Sequence, residues 1–539
     1  VVSVDTKFIE ELRDREQMVD KLGPLYFCRQ GLEALFVLTV WTMLHVNLAE
    51  SLSTSAGPHY VGFDLGTSGA RVSIIECHCG DDEKDSPVFD EVYSQAIPWD
   101  GAYDDASAWM NSVALLLKRS RDELGSLQTV KSICVSGTSA SCLLVDSLNA
   151  GKVTRPPRMY DYDIVGSAKD SIYGVRAMNL LNKHAPPRHT ARANTGSLAK
   201  LLSWNEEKRL VKGEVLCHQA DYIVMKLISD PKQCGKAQRH LVRSDWHNCL
   251  KCGYDVRSLE WPDWLVNCLI EAGIDDPVGR GIVPSQVMSP GEPLATISQT
   301  MAKEFDIAES TTIVGGTTDS NAAFFAATGG FDPPMGTAVT SLGSTLAIKQ
   351  LSCTFAEDAD RGVYSHRFPV FSRRGDSEAW LIGGASNVGC AVLRQQNFSN
   401  EELIELSEKI NPRKDIGLSY YPLTKRGERF PIADSTKEPL LEPVPESRQE
   451  YLHGILQGIS NVERDGFKIL GELGATPRNP TTVWTCGGGS NNAMWNEMRQ
   501  RKLVEAFGDT SISVRKAFNT EASYGSAILA AASFARANK

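Results

Sequence analysis

The sequence predicts an α/β protein of two domains with an internal duplication. Three observations carry this expectation. The chain has 539 residues, more than one hydrophobic core usually serves. Strand and helix patterns alternate along most of it. Two hairpins of the same make, strand–Gly/Thr/Ser tip–strand, lie far apart in the chain, as expected of a repeated unit.

The first hairpin opens the ordered pattern. Tyr60–Asp64 reads as a buried strand, Leu65-Gly66-Thr67-Ser68-Gly69 as a turn, and Ala70–Ile75 as the returning strand. Ser132–Ser136 is a further strand, followed by the turn Gly137–Ser141 and the strand Cys142–Asp146. Leu198–Arg209 and Ala220–Ile228 have the apolar period of helices, and Ser320–Thr328 is a short Ala-rich helix after the strand end Val314-Gly315-Gly316. Gly329–Pro334 breaks the pattern and marks a domain boundary. The second hairpin follows: Thr337–Ser341, the tip Leu342-Gly343-Ser344-Thr345, then Leu346–Lys349. Alternation continues to an Ala-rich helix, Glu521–Ala537. The expected division is 1–57 as an extension (an appendage or targeting segment), 58–332 as a first domain and 333–539 as a second.

Composition narrows the function classes. The net charge of -10 and the scattered Lys and Arg residues exclude nucleic acid or an anionic membrane as the main partner. Thirteen dispersed cysteines include a single CxxC, Cys249–Cys252, so reduced thiols are expected rather than a zinc site. Cys77 and Cys79 flank His78 with no second pair at metal spacing. The apolar run Ala34–Val46 is too short for a membrane span, and the acidic stretch before it fits neither a secretory signal nor a transit peptide.

The chemistry concentrates at the tips and glycine clusters. Small residues at Gly66 and Thr67, and at Gly343 and Ser344, let backbone N–H groups approach phosphate oxygens. Asp64 beside the first tip can hold Mg²⁺ through water. The alternative at each place is a tight hairpin, with Asp64 capping its turn. The clusters Gly383–Asn387 and Gly487–Asn492 each precede an expected helix, whose N-terminus favours a phosphate or a ribose hydroxyl. Gly488 and Gly489 would approach the nucleotide closely, and Asn492 and Trp495 would flank a purine by hydrogen bonding and stacking. For Trp495 a core position on an amphipathic helix is the rival. Asp319 starts a helix at the domain junction, either as a cap or as a carboxylate aimed into a cleft.

The segments VGFDLGTSGAR, SGTSAS, LLSWNEE…QADYIVMKL, GGTTDSNAAFFAATG, TSLGSTLAIK and CGGGSNNAMWNEMRQ together resemble the FGGY carbohydrate kinase family. The resemblance runs over about 59–537 in the family's order. Within the family it is most similar to the plant and cyanobacterial kinases termed xylulose kinase-like, whose favoured substrate is D-ribulose. It implies two actin-like (ribonuclease H-like) ATPase domains with a catalytic cleft between them, and ATP and Mg²⁺ as cofactors. It further implies Asp319 as the catalytic base, with Asp64 and Thr67 at the phosphate end. Sugar contacts are expected from Asp64, Ser68, Gly69, Ser139, Asp161 and Asp319. Met159-Tyr160-Asp161 stands where the family often has a sugar-contacting Met-Tyr-Asn-Asp pattern, but here Tyr162 follows Asp161. The resemblance also implies a chloroplast address, with the cytoplasm as the alternative. An actin- or chaperone-like ATPase without a sugar and an inactive sugar-binding relative are the competing readings.

Overall fold

The structure is a computed structural model that describes residues 57–78, 87–166, 171–229, 241–371 and 378–537. The chain divides into two units, 1–57 and 58–539. The expected extension and its apolar run Ala34–Val46 lie outside the described residues, as does Cys79. No helix among the described residues is long and apolar enough to cross a membrane.

Both hairpins form where turn chemistry places them. The first pairs His59–Leu65 with Gly69–His78, and the second pairs Ala338–Leu342 with Leu346–Ser352, each antiparallel. Each becomes the centre of a larger sheet. His59–Leu65 also pairs in parallel with Val130–Gly137, which pairs in parallel with Thr312–Val314, while Val88–Pro98 closes the other side antiparallel to Gly69–His78. Ala338–Leu342 repeats the scheme with Thr482–Cys486 and Ser513–Lys516 in parallel and Ala379–Ser386 antiparallel on the far side. The same order, handed out twice, is the duplication that the two tips foretold.

A pair of helices lies between the sheets. Asp319–Thr328 and the Ala-rich Ala522–Ala537 bury Phe324, Phe325, Ala527 and Ile528 in one cluster. That cluster includes Tyr60, Ile75 and Val314 of the first sheet and Val339, Leu351 and Leu381 of the second. Contact is backbone to backbone: a Cβ on Gly62 would strike Ser523 O and Ala527 N, and one on Gly525 would strike Ala322 O. Ser73 Oγ and Ser523 Oγ share a hydrogen bond (2.8 Å), and Ser132 Oγ donates to Ala530 O (2.7 Å).

One expectation is met only in order. A helix, Ala391–Gln395, follows the cluster Gly383–Asn387, but Gly383 and Gly384 themselves sit inside the strand Ala379–Ser386. A side chain at Gly383 would meet the Ile348 carbonyl, and one at Gly384 would meet the Phe430 ring. They are glycines because neighbours press on the strand, not because a phosphate does.

Gly62→Val therefore forces a branched side chain into helix backbone that cannot yield. We expect a loss of about 1–3 kcal/mol or more by chemical denaturation. Gly417→Ala, where nothing lies within 4 Å of the added Cβ, is the control and should leave stability within about 0.5 kcal/mol. Equal effects from the two variants would refute the close-approach account.

Candidate active site

A row across the first sheet assembles the acidic centre. Asp64 is in register with Ser136, and Ser136 with Thr317, so three adjacent strands bring these residues to one level. Two residues beyond Thr317 the chain turns into the helix Asp319–Thr328, with Asp319 as its first residue and Thr318 as the cap position. Asp319 thus emerges beside Asp64. Thr317 is itself fixed from behind: its hydroxyl bonds His247 Nδ1 (2.7 Å), and its carbonyl accepts from Asn248 Nδ2 (3.2 Å).

Asp64 is 4% exposed. Ser136 Oγ donates to its Oδ1 (2.8 Å), and Arg71 Nη1 lies 3.7 Å from its Oδ2. Burial first, then the nearby Asp319 carboxylate, pushes its pKa up to about 7, against the opposing pull of Ser136 and Arg71. Asp319 is half-buried, and its Oδ1 accepts from Ser320 N (2.6 Å). Its pKa is also raised, by burial, while that backbone bond and the Lys349 and Lys251 ammonium groups favour its charged form.

Those two lysines were not anticipated. Lys349, on the second hairpin, donates to Ser320 O (2.8 Å) and Asn321 Oδ1 (3.2 Å). Burial lowers its pKa to about 8, opposed by Asp319. Lys251 follows the short helix Trp246–Cys249; burial lowers its pKa too, and Asp319 again opposes the shift. The one legible signal was a Lys inside the apolar strand Leu346–Ser352.

The first tip is built to expose hydroxyls. Thr67 and Ser68 are exposed, Gly66 N donates to Gly69 O (3.0 Å), and Trp99 Nε1 donates to Gly66 O (2.8 Å). Arg71 Nη2 donates to Ser68 Oγ (2.9 Å). Gly69 pairs with Pro98, and a Cβ there would hit the Ile97 carbonyl, so the sheet by itself requires a glycine at this position. Ser139 is half-buried in the turn Gly137–Ser141, at the end of the strand that carries Ser136. Asp161 is exposed; burial of Tyr160, then the Asp161 and Asp319 carboxylates, raises the Tyr160 phenol. That shared influence puts the Met159–Asp161 segment within electrostatic reach of Asp319.

The second tip opens on a cavity of about 740 Å³, whose lining includes Gly343, Ser344, Gly488, Gly489 and Asn492 but neither Asp64 nor Asp319. Its volume suits a nucleotide-sized ligand. Gly343 O and Ser344 O are held by Cys390 N and Ala391 N, and Arg394 Nη2 donates to Ser344 Oγ (3.2 Å). Gly487 has φ +84°, and a Cβ there would lie 2.5 Å from Leu342 O, so only glycine makes this bend. Gly488 is open to 4 Å, whereas Gly489 would meet the Trp495 ring at 2.7 Å. Asn492 caps the helix Ala493–Phe507 by accepting from Trp495 N (2.9 Å), and its Nδ2 donates to Ser407 Oγ (2.8 Å).

Trp495 corrects the stacking expectation. It is 1% exposed, and its Nε1 donates to Leu456 O (3.1 Å) and Ser460 Oγ (2.9 Å). An indole held this way has no open face for a purine; it is a wall of the cavity that props up Gly489 from within the core.

The buried Asp64 charge has a consequence for stability. With its pKa at about 7 in the folded state and its ordinary value of 3.8 when unfolded, the native protein holds the extra proton between those limits. Stability from this group is complete below about pH 4 and is lost as pH rises through about 7. Asp64→Asn should therefore be more stable than the wild type at pH 8, by on the order of 2–4 kcal/mol with a correspondingly higher Tm, and match it near pH 4. A gap between the two melting curves that does not change with pH would refute this.

No protein-family model matches the chain. Among solved structures it is similar to the xylulose kinase of Bifidobacterium adolescentis, with 16% identity, a TM-score of 0.63, and 89% of this chain and 94% of that one covered. It is similar to the glycerol kinase of Plasmodium falciparum with ADP, at 14% identity and a TM-score of 0.65, covering 89% and 90%. The gluconate kinase of Lactobacillus acidophilus follows at 14% identity and a TM-score of 0.61, covering 89% of each chain. With its paired sheets around a shared helix pair, this chain has the two-domain, actin-like ATPase fold of these kinases.

Proposed function

We propose that the chain is an ATP-dependent sugar kinase acting on a pentulose, D-ribulose ahead of D-xylulose. The observation that carries it is the half-buried Asp319 carboxylate, set beside Asp64 by the strand row and near the Lys251 and Lys349 ammonium groups. A phosphoryl-transfer site needs this combination: a base that faces an open cleft, and fixed positive charge around it. The similar structures, of gluconate, xylulose and glycerol kinases, support the same reading. Preference for D-ribulose comes from the sequence resemblance.

In the proposed reaction a sugar hydroxyl oxygen forms a bond to the γ-phosphorus of ATP as the bond from that phosphorus to the β,γ-bridging oxygen breaks. ADP leaves, and the hydroxyl proton passes to Asp319 late in a loose transition state. Burial makes Asp319 a stronger base than an exposed carboxylate, and Lys251 and Lys349 keep it ionised. The exposed hydroxyls of Thr67 and Ser68 and the backbone of the two tips hold phosphate oxygens, with the nucleotide in the cavity at Gly488 and Asn492. Ser68, Ser139 and Asp161 orient the sugar.

Magnesium fits Asp64 through water, because Asp64 is a deep oxygen donor whose charged form the neighbouring Asp319 and Glu521 disfavour and a cation would favour. Bound there, the ion would neutralise phosphate charge. We extend the proposal to the sugar and phosphate site in 58–332, the nucleotide site in 333–539, and a chloroplast address that a fluorescent fusion of the full-length protein would test.

Two measurements test the function. A ketose panel should show sugar-dependent ADP release with the highest kcat/KM for D-ribulose; equal or better turnover of D-xylulose rejects that preference. Asp319→Asn should keep its fold, because Asn is nearly isosteric and can still accept from Ser320 N, and should lose about 10²–10⁴ in kcat. A fully active Asn variant would sink the mechanism.

A further inference from the structure

Lys200 lies in the helix Ser197–Glu207 and is 0% exposed. An ammonium so placed ordinarily has a carboxylate beside it, because burying an uncompensated charge is expensive. Among the described residues Lys200 has no ion-pair partner. Its Nζ instead donates to two backbone carbonyls, Ala140 O (2.8 Å) and Met159 O (2.6 Å). Burial accordingly lowers its pKa to about 8; the Cys142 thiol, Lys251, Asp161 and Arg158 are the other ionisable groups that act on it. A leucine or methionine would fill the same core position without that penalty, so the amino group answers to its two acceptors.

Those acceptors belong to the two segments expected to touch the sugar. Ala140 follows Ser139 directly and holds φ at +68°, a conformation unusual for a residue with a Cβ. Met159 precedes Tyr160 and Asp161. On its other side the turn is held by Gln219, whose Oε1 accepts from Thr138 N (3.0 Å) and Thr138 Oγ1 (2.9 Å). Gln219 fixes the turn to one helix, and Lys200 ties it to the Met159–Asp161 segment. Nothing else described joins Ala140 to Met159 by hydrogen bonds.

We propose that Lys200 is a positioning residue of the sugar pocket, a clip that sets the spacing between Ser139 and Asp161. The clip rests on the kinase reading above. Because sugar stereochemistry is read by the placement of individual hydrogen bonds, a change in that spacing should weaken sugar binding and discrimination before it affects the nucleotide.

The test uses the full chain and steady-state kinetics with D-ribulose, D-xylulose and ATP. Lys200→Met should raise the D-ribulose KM about tenfold or more, narrow the ratio of kcat/KM between the two ketoses, and leave the ATP KM within about twofold. Lys200→Gln, shorter but still a donor, should fall between it and the wild type. Ser139→Ala should raise the sugar KM in the wild type yet add less than about twofold on the Lys200→Met background, the non-additivity expected of residues acting through one another. An unchanged sugar KM in a folded variant overturns the clip, as do sugar and ATP KM values that rise together or fully additive double variants. If neither Lys200 variant folds, Lys200 is a core residue only, and the clip is likewise overturned. Absence of sugar-dependent turnover in the wild type is a separate result: it removes the kinase reading, and the clip with it, before any variant is made.

Discussion

The site depends on how closely two helices approach a sheet. Asp319–Thr328 and Ala522–Ala537 touch backbone to backbone at Gly525, and the second of them lies on the first sheet at Gly62. With side chains at those glycines the helices would stand off by the width of a methyl group or more. The first turn of Asp319–Thr328 would move with them, and Asp319 would leave the level of Asp64. Catalytic geometry tolerates little such movement. The glycines are far from the chemistry in sequence but set its coordinates.

Given that scaffold, the cleft is an arrangement of charges held against their own preference. A buried carboxylate, Asp64, lies within electrostatic reach of the half-buried Asp319, and two lysines are desolvated near Asp319. Every group in this set has its pKa moved toward neutrality, the pattern of sites that exchange protons or bind charged substrates. The folded state bears that strain because the surrounding packing is extensive, with Phe324, Phe325 and Ile528 joining both sheets in one cluster.

Local determinants of this fold are legible in the sequence, and those that depend on distant neighbours are not. Both hairpins, the strand Cys142–Asp146 and the helix at Asp319 follow from turn residues and apolar period within a few positions. The two tips were enough to show the duplication, because each needs small residues for its own bend. Gly383 and Gly384 resemble a phosphate loop in composition, but their causes are distant: the Ile348 carbonyl presses on Gly383 and the Phe430 ring on Gly384. Trp495 had two readings, and its hydrogen bonds to Leu456 and Ser460 on another helix decide between them. Lys200 and Lys251 carry no mark in the sequence, and Lys349 only its place inside an apolar strand, since a lysine declares itself as a functional group only by being buried. Burial is a property of the whole fold.

The helix Ala522–Ala537 bears also on how the protein is made. Ser73 and Ser523 are partners across 450 positions, and Tyr60, Ile75 and Val314 are covered by that same late helix. A ribosome adding about 5–20 residues per second leaves the first hairpin without this cover for roughly 20–90 s. During that interval the nascent chain presents a half-finished apolar layer, the kind of surface that holdase chaperones shield. Synthesis of the first sheet and its completion are separate events, and the acidic centre cannot be set before the second of them.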